Sequence, residues 1–110
     1  MQLNNQVTLV GRVSSDPTQR ELPSGDQIVT LRLVVDRPGR KSQSRRPVDV
    51  IDLVCWTKSS QRAAIRLKPK DLIEATGSLR RRFFATPQGR SSRYEVELTK
   101  IRRVSQMPPE

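Results

Sequence analysis

Apolar side chains recur at every second position in several stretches of the chain, the pattern of strands with one face buried. Val7, Leu9 and Val13 alternate around Thr8, Gly11 and Arg12, and the turn-prone Ser14-Ser15-Asp16-Pro17 closes the segment, which predicts a strand over residues 5–13. Leu22-Pro23-Ser24-Gly25-Asp26 has the composition of a turn. Over residues 27–36 Val29, Leu31, Leu33 and Val35 share one face, with Ile28, Thr30, Arg32, Val34 and Asp36 on the other. This second strand is expected to form a hairpin with the first. A third strand, residues 48–56, sets Asp49, Ile51, Leu53 and Cys55 against Val50, Asp52, Val54 and Trp56. A short helix over 61–67 follows, with Ser59 or Ser60 as N-cap, Ala63, Ala64 and Leu67 as its apolar stripe, and Pro69 as its end. The fourth strand, residues 72–84, carries Gly77 in its interior, where a bulge or bend is expected. Past a turn at Pro87-Gln88-Gly89, a fifth strand over 93–104 places Tyr94, Val96 and Leu98 opposite Glu95, Glu97 and Thr99.

Three strands, one short helix and two strands within about a hundred residues is the order of an all-β, five-stranded Greek-key barrel of the OB type. A β-sandwich would usually want seven strands and no helix. A length of 110 residues supports a single domain, placed at 1–104, with 105–110 as a short frayed tail. No internal repeat is present.

Charge sharpens this picture. Lys and Arg number 21 against 11 Asp and Glu, a formal charge of +10 that recruits phosphate-rich partners or anionic surfaces. Residues 1–36 carry a net −1 and residues 37–103 a net +12, so a binding surface is expected mainly on the later elements. The absence of histidine, with Cys55 the only cysteine, argues against Cys/His and Ser/His nucleophiles, Cys-based zinc sites and intramolecular disulfides. Asp49 with Asp52 and Glu95 with Glu97 are carboxylate pairs of the kind a Mg-dependent nuclease uses. They read instead as solvated acids or partners for arginines such as Arg93 and Arg102, and no enzyme, cofactor or metal is expected. Cys55 has core parity and reads as buried packing. The first residues lack the features of a secretory signal and no apolar run approaches the roughly 20 residues of a membrane span, so a cytoplasmic, soluble protein is expected.

The most informative stretch is Leu79-Arg80-Arg81-Arg82-Phe83-Phe84, because the strand period aims Arg80, Arg82 and Phe84 at one face. Guanidinium groups that follow phosphates and a flat ring that accepts an unstacked base are what single-stranded nucleic acid requires. Trp56 supplies a second platform, and Arg12, Arg32 and Lys58 extend the charged track. The opposite parity assigns Leu79, Phe83 and Leu53 to the core, and Arg81 to the barrel rim or a subunit contact rather than to the ligand. The competing reading makes Trp56 and Phe84 core aromatics and the arginines a solvated edge that discourages aggregation. The segment 37–47, with Arg37, Arg40, Lys41, Arg45 and Arg46, has the composition of a mobile basic clamp or of a solvated linker.

Val10-Gly11-Arg12-Val13, Asp16-Pro17, Arg20, Leu22-Pro23-Ser24-Gly25, the alternating 27–35 segment, Trp56, Gly77-Ser78-Leu79-Arg80 and Glu95-Val96 fall in an order and spacing that resembles the bacterial single-stranded DNA-binding protein (SSB) family over residues 4–104. No one piece is specific, but the ordered set is. The resemblance implies an OB-fold that assembles as a homotetramer, with a dimer or a mixed assembly with a full-length SSB left open, and wraps single-stranded DNA by base stacking and phosphate pairing. It further implies that Trp56 and Phe84 are two of the stacking aromatics and that Lys58, Arg80 and Arg82 stand at or beside basic DNA contacts. Two further stacking positions hold Gly39 and Val50, so stacking per subunit is expected to be weaker. Asp52 replaces a basic residue and is expected to repel phosphate on the Trp56 face. The chain ends at Met107-Pro108-Pro109-Glu110 without an acidic, aromatic tip, so a short divergent paralogue is expected, without tail-mediated recruitment of repair enzymes.

The implied role is sequence-independent binding and protection of single-stranded DNA in replication, recombination or repair. Two alternatives stay open. One is an RNA-binding OB module, since stacking and basic grooves do not distinguish the sugars. The other is an assembly module whose β face now meets another subunit.

Overall fold

The computed structural model describes residues 3–38 and 47–104. In chain order the elements are β1 (Val7–Val13), β2 (Thr18–Glu21), β3 (Gln27–Asp36), β4 (Val48–Cys55), α1 (Lys58–Ile65), β5 (Leu72–Thr86) and β6 (Gly89–Arg103). β1 pairs twice. It runs antiparallel to β5, from Val7 opposite Gly77 to Arg12 opposite Leu72, and at its end Arg12 and Val13 also pair with Val34 and Leu33 of β3. β3 runs antiparallel to β4 along its length, β4 touches β6 in a short parallel contact, and β5 with β6 forms a long antiparallel hairpin. The ring β1-β5-β6-β4-β3 therefore closes on itself as a five-stranded barrel, and β2 stays outside it on the edge of β3. Closure removes the free edges of the ring.

β2 is the first difference from the sequence reading. Thr18, Gln19, Arg20 and Glu21, all exposed, form the hairpin with Gln27–Thr30, turning through Leu22–Asp26 with Gly25 at a φ of 94°. A strand with no buried face leaves no alternation to read. The first strand does meet β3, but at two residues only. Counting β2, the helix sits between the fourth and fifth strands rather than the third and fourth.

The helix also begins earlier than expected. Thr57, not Ser59 or Ser60, is the N-cap: its Oγ1 accepts from the Ser60 N–H at 3.1 Å, and its carbonyl accepts from the Gln61 N–H at 2.9 Å. Ser60 lies buried beneath the cap and donates its hydroxyl back to the Thr57 carbonyl at 3.0 Å. The helix ends at Ile65, before Pro69 could stop it.

Inward-facing Val29, Leu31, Leu33, Leu53, Cys55, Ile73, Ala75, Val96 and Leu98 fill the barrel, with Ala64 and Leu67 packed into the same cluster from the helix and the turn after it. At Gly77 the register of β5 on β6 shifts, leaving Thr99 as the extra residue between the partners of Gly77 and Thr76. That is the expected bulge, and it has a steric cause: a Cβ on Gly77 would stand 2.0 Å from the Glu97 carbonyl oxygen.

Beyond Ser78, β5 leaves β1 and pairs with β6 alone, turning through Pro87-Gln88 into Gly89 at a φ of 121°. This two-stranded arm overturns one assignment. Leu79 and Phe83 have core parity, yet they are exposed, because the barrel core ends where β1 stops pairing with β5. Asn5 continues β1 by side chain, its Oδ1 accepting from the Leu79 N–H at 2.8 Å and its Nδ2 donating to the Leu79 carbonyl at 2.9 Å. No helix among the described residues is long and apolar enough to cross a membrane.

Candidate nucleic-acid interface

The period of two puts Arg80, Arg82 and Phe84 on one face of β5, and antiparallel pairing brings Glu95, Arg93 and Ser91 of β6 directly opposite them. Trp56, the residue after β4, joins them: the Arg82 guanidinium lies 4.9 Å from the centre of its ring. The indole Nε1 is buried and has no acceptor among the described residues. On the arm, the Arg93 guanidinium lies 5.8 Å from the centre of the Phe84 ring. Rings and guanidinium groups thus interleave along this face, and Phe84 is 41% exposed. Neither Trp56 nor Phe84 belongs to the core cluster.

A groove of about 250 Å³ continues the face toward β2, lined among others by Arg20, Thr30, Arg32, Asp52, Arg93 and Glu95. Arg93 links groove and arm, and sequence reasoning gave it no role beyond pairing with an acid. The signal lay in the hairpin register, which sets Arg93 directly opposite Arg82. Arg93 makes no ion pair among the described residues.

Carboxylates occupy most of the other cations. Arg82 donates from Nε to Glu95, which is only 4% exposed, and Arg80 lies 3.8 Å from Glu97. Arg32 Nε lies 3.1 Å from Asp52 Oδ1. Asp52 is therefore not the bare repulsive charge the sequence implied, since the cross-strand register places Arg32 opposite it. The expected pairing of Glu95 and Glu97 with Arg93 and Arg102 is also corrected, because Arg102 turns to Glu74 at 3.3 Å. An outward arginine on β5 reaches the acids of β6 more directly than an arginine on the same strand does.

Two expected contributors stand apart. Arg12 is held by Asp36 at 3.3 Å, at the far end of β3 from the groove. Lys58 is exposed on the first turn of α1 and lines a separate hollow with Gln19, Val29, Gln61, Arg62 and Ile65. Arg40, Lys41, Arg45 and Arg46, and with them Gly39, lie outside the described residues. The base of their segment is pinned: the Arg37 N–H donates to the Pro47 carbonyl at 3.0 Å, and the Arg37 side chain grips Asp49 with bonds of 2.8 and 3.1 Å. The guanidinium hydrogen bonds hold the Asp49 carboxyl below its ordinary value.

At the opposite pole of reactivity, burial pushes the Cys55 thiol up to about 11. A thiol held protonated packs and does not attack. Among the described residues no cluster of His, Cys, Asp and Glu could hold a metal ion.

The model of the single-strand binding protein family matches residues 4–104. A single-stranded DNA-binding protein of Halalkalibacterium halodurans is 35% identical over 86 residues, 78% of this chain and 51% of its own length. Single-stranded DNA-binding protein A of Bacillus subtilis is 34% identical over 85 residues, 77% of this chain and 49% of its own length. The chain thus spans about half the length of these curated relatives. A solved structure of Plasmodium falciparum SSB in complex with ssDNA has the same fold, with a TM-score of 0.79 at 18% identity, over 96% of this chain and 98% of that one.

Proposed function

We propose, for a chain that belongs to the single-strand binding protein family, that it binds single-stranded DNA without sequence preference. The observation that carries this reading is the outer face on which Trp56, Arg82, Phe84 and Arg93 alternate ring and guanidinium, with centroid distances of 4.9 and 5.8 Å. Flat rings stack with any base and guanidiniums donate to any phosphate, so such a row holds a strand whatever its sequence. The relatives' names, which describe single-stranded DNA binding, support the same substrate. Arg32, Arg80, Arg82 and Arg93 are the proposed phosphate contacts of the described residues, and Arg40, Lys41, Arg45 and Arg46 extend them.

The setting we infer is the cytoplasm, with single-stranded DNA held during replication, recombination or repair by a homo-oligomer, a tetramer on the family pattern. Residues 1–104 form the binding domain in this reading, and no catalytic step is assigned.

Trp56 is the only tryptophan, so its fluorescence reports the site directly. Titration with a dT oligomer of about 35 nucleotides, long enough to span several OB-fold sites, is expected to quench it, with an affinity that falls as salt rises. Unchanged fluorescence at low salt together with no gel shift would overturn the proposal. Tighter binding of rU than of dT oligomers would turn it toward RNA.

A further inference from the structure

The arm has a second face. Arg81 stands opposite Tyr94 and Phe83 opposite Ser92, so these four side chains point away from the Arg82–Phe84 side. Phe83 is 60% exposed and Tyr94 59%. Between the two rings sits Arg81, its guanidinium 5.0 Å from the centre of the Phe83 ring and 5.6 Å from that of Tyr94. Its Nε donates to Ser92 Oγ at 3.2 Å, and it has no carboxylate partner among the described residues. On the front, by contrast, Arg80 and Arg82 are both held by glutamates.

Two open rings flanking an uncompensated guanidinium present π-faces for unstacked bases and a cation for the phosphate between them. The surroundings fit a polyanion: residues 79–94 hold five arginines and not one Asp or Glu. A second copy of this chain bringing its own arm to the same place would meet like charge. We infer that Phe83, Tyr94 and Arg81 form a second base-stacking platform for single-stranded DNA, so that a strand stacked on Phe84 crosses the edge of the two-stranded arm and continues on its back. This rests on the reading that the chain holds single-stranded DNA, and it extends the contact surface to a face the sequence had assigned to core and rim.

The test uses the full chain and a dT oligomer of about 35 nucleotides carrying 5-iododeoxyuridine. Irradiation followed by peptide mapping is expected to find adducts on Phe83 or Tyr94 as well as on Trp56 or Phe84. The double variant Phe83→Leu, Tyr94→Leu is expected to bind about tenfold more weakly, the loss of roughly one stacked base. Because both side chains are exposed, folding should survive, which far-UV circular dichroism checks. Adducts confined to Trp56 and Phe84, with an unchanged affinity in the double variant, would overturn the second platform and leave the first standing. A double variant that changes oligomeric state by light scattering but not DNA affinity would overturn it in favour of a second copy. No adduct and no binding in the wild type would overturn both readings.

Discussion

The Arg82 guanidinium lies 4.9 Å from the centre of the Trp56 ring while its Nε donates to the buried Glu95 carboxylate. One side chain thus fixes a candidate stacking ring and neutralises a charge that could not stay buried alone. The indole Nε1 adds no hydrogen bond among the described residues, so Trp56 is held by packing and cation–π attraction. Structure and proposed binding meet at Arg82, and substitutions there separate them.

Arg82→Ala is expected to cost about 2–3 kcal/mol in urea unfolding, because Glu95 is left buried without a partner. Pairing it with Glu95→Gln should recover most of that stability. Recovery of stability without recovery of DNA affinity would separate Arg82 as a phosphate contact from Arg82 as a structural partner. Arg82→Lys keeps the charge but loses the planar stack on Trp56, and an intermediate affinity is expected.

Glu97 competes for Arg80, at 3.8 Å on a half-exposed surface. Glu97→Gln should hardly change stability, by less than about 1 kcal/mol. It should strengthen DNA binding and steepen its salt dependence by about 0.7 in the logarithmic slope, the increment for one more phosphate contact on a single strand. An unchanged slope would remove Arg80 from the binding surface.

Cys55 supplies a pH signature of the core. Burial raises its thiol from the ordinary 9.0 to about 11, against a weaker opposing hydrogen bond with Ser60. A folded-state value above the unfolded one means that the unfolded chain ionises first, so stability is retained below pH 9.0 and falls as pH rises toward about 11. Relative to Cys55→Ala, the wild type should lose on the order of 2 kcal/mol across that window. Equal pH profiles for the two proteins would show the thiol to be accessible to solvent.

Most of the barrel was legible because its strands bury one face, and Val29, Leu31, Leu33, Leu53, Ile73, Val96 and Leu98 write that burial at every second position. β2 was not, since Thr18–Glu21 bury nothing. Parity also misled on the arm: Leu79 and Phe83 repeat the core pattern past the point where β1 stops pairing, and only topology shows that nothing covers them there. At the site the sequence located the face that joins Trp56, Arg80, Arg82 and Phe84. It could not show which arginines Glu95, Glu97 and Asp52 engage, because those pairings depend on cross-strand register rather than on distance along the chain.

Gly77 joins barrel and arm, and its lack of a side chain is a matter of space. An added Cβ would stand 2.0 Å from the Glu97 carbonyl oxygen and 2.8 Å from its carbon, both backbone atoms that cannot swing away as a side chain would. Gly77→Ala must therefore push β5 off β6 at the bulge, and a loss of about 3 kcal/mol is expected. The same displacement would shift Arg80 and Arg82 against Glu97 and Glu95, so amide chemical shifts along Ser78–Arg82 and Arg93–Leu98 should move more than those of β3. Gly25→Ala is the control: it meets no atom within 4 Å and lies in the β2–β3 turn, so its effect comes from the positive φ alone and should stay local. A Gly77→Ala protein as stable as the wild type would mean that the bulge can relax, and that the arm is joined to the barrel less rigidly than its hydrogen bonds imply.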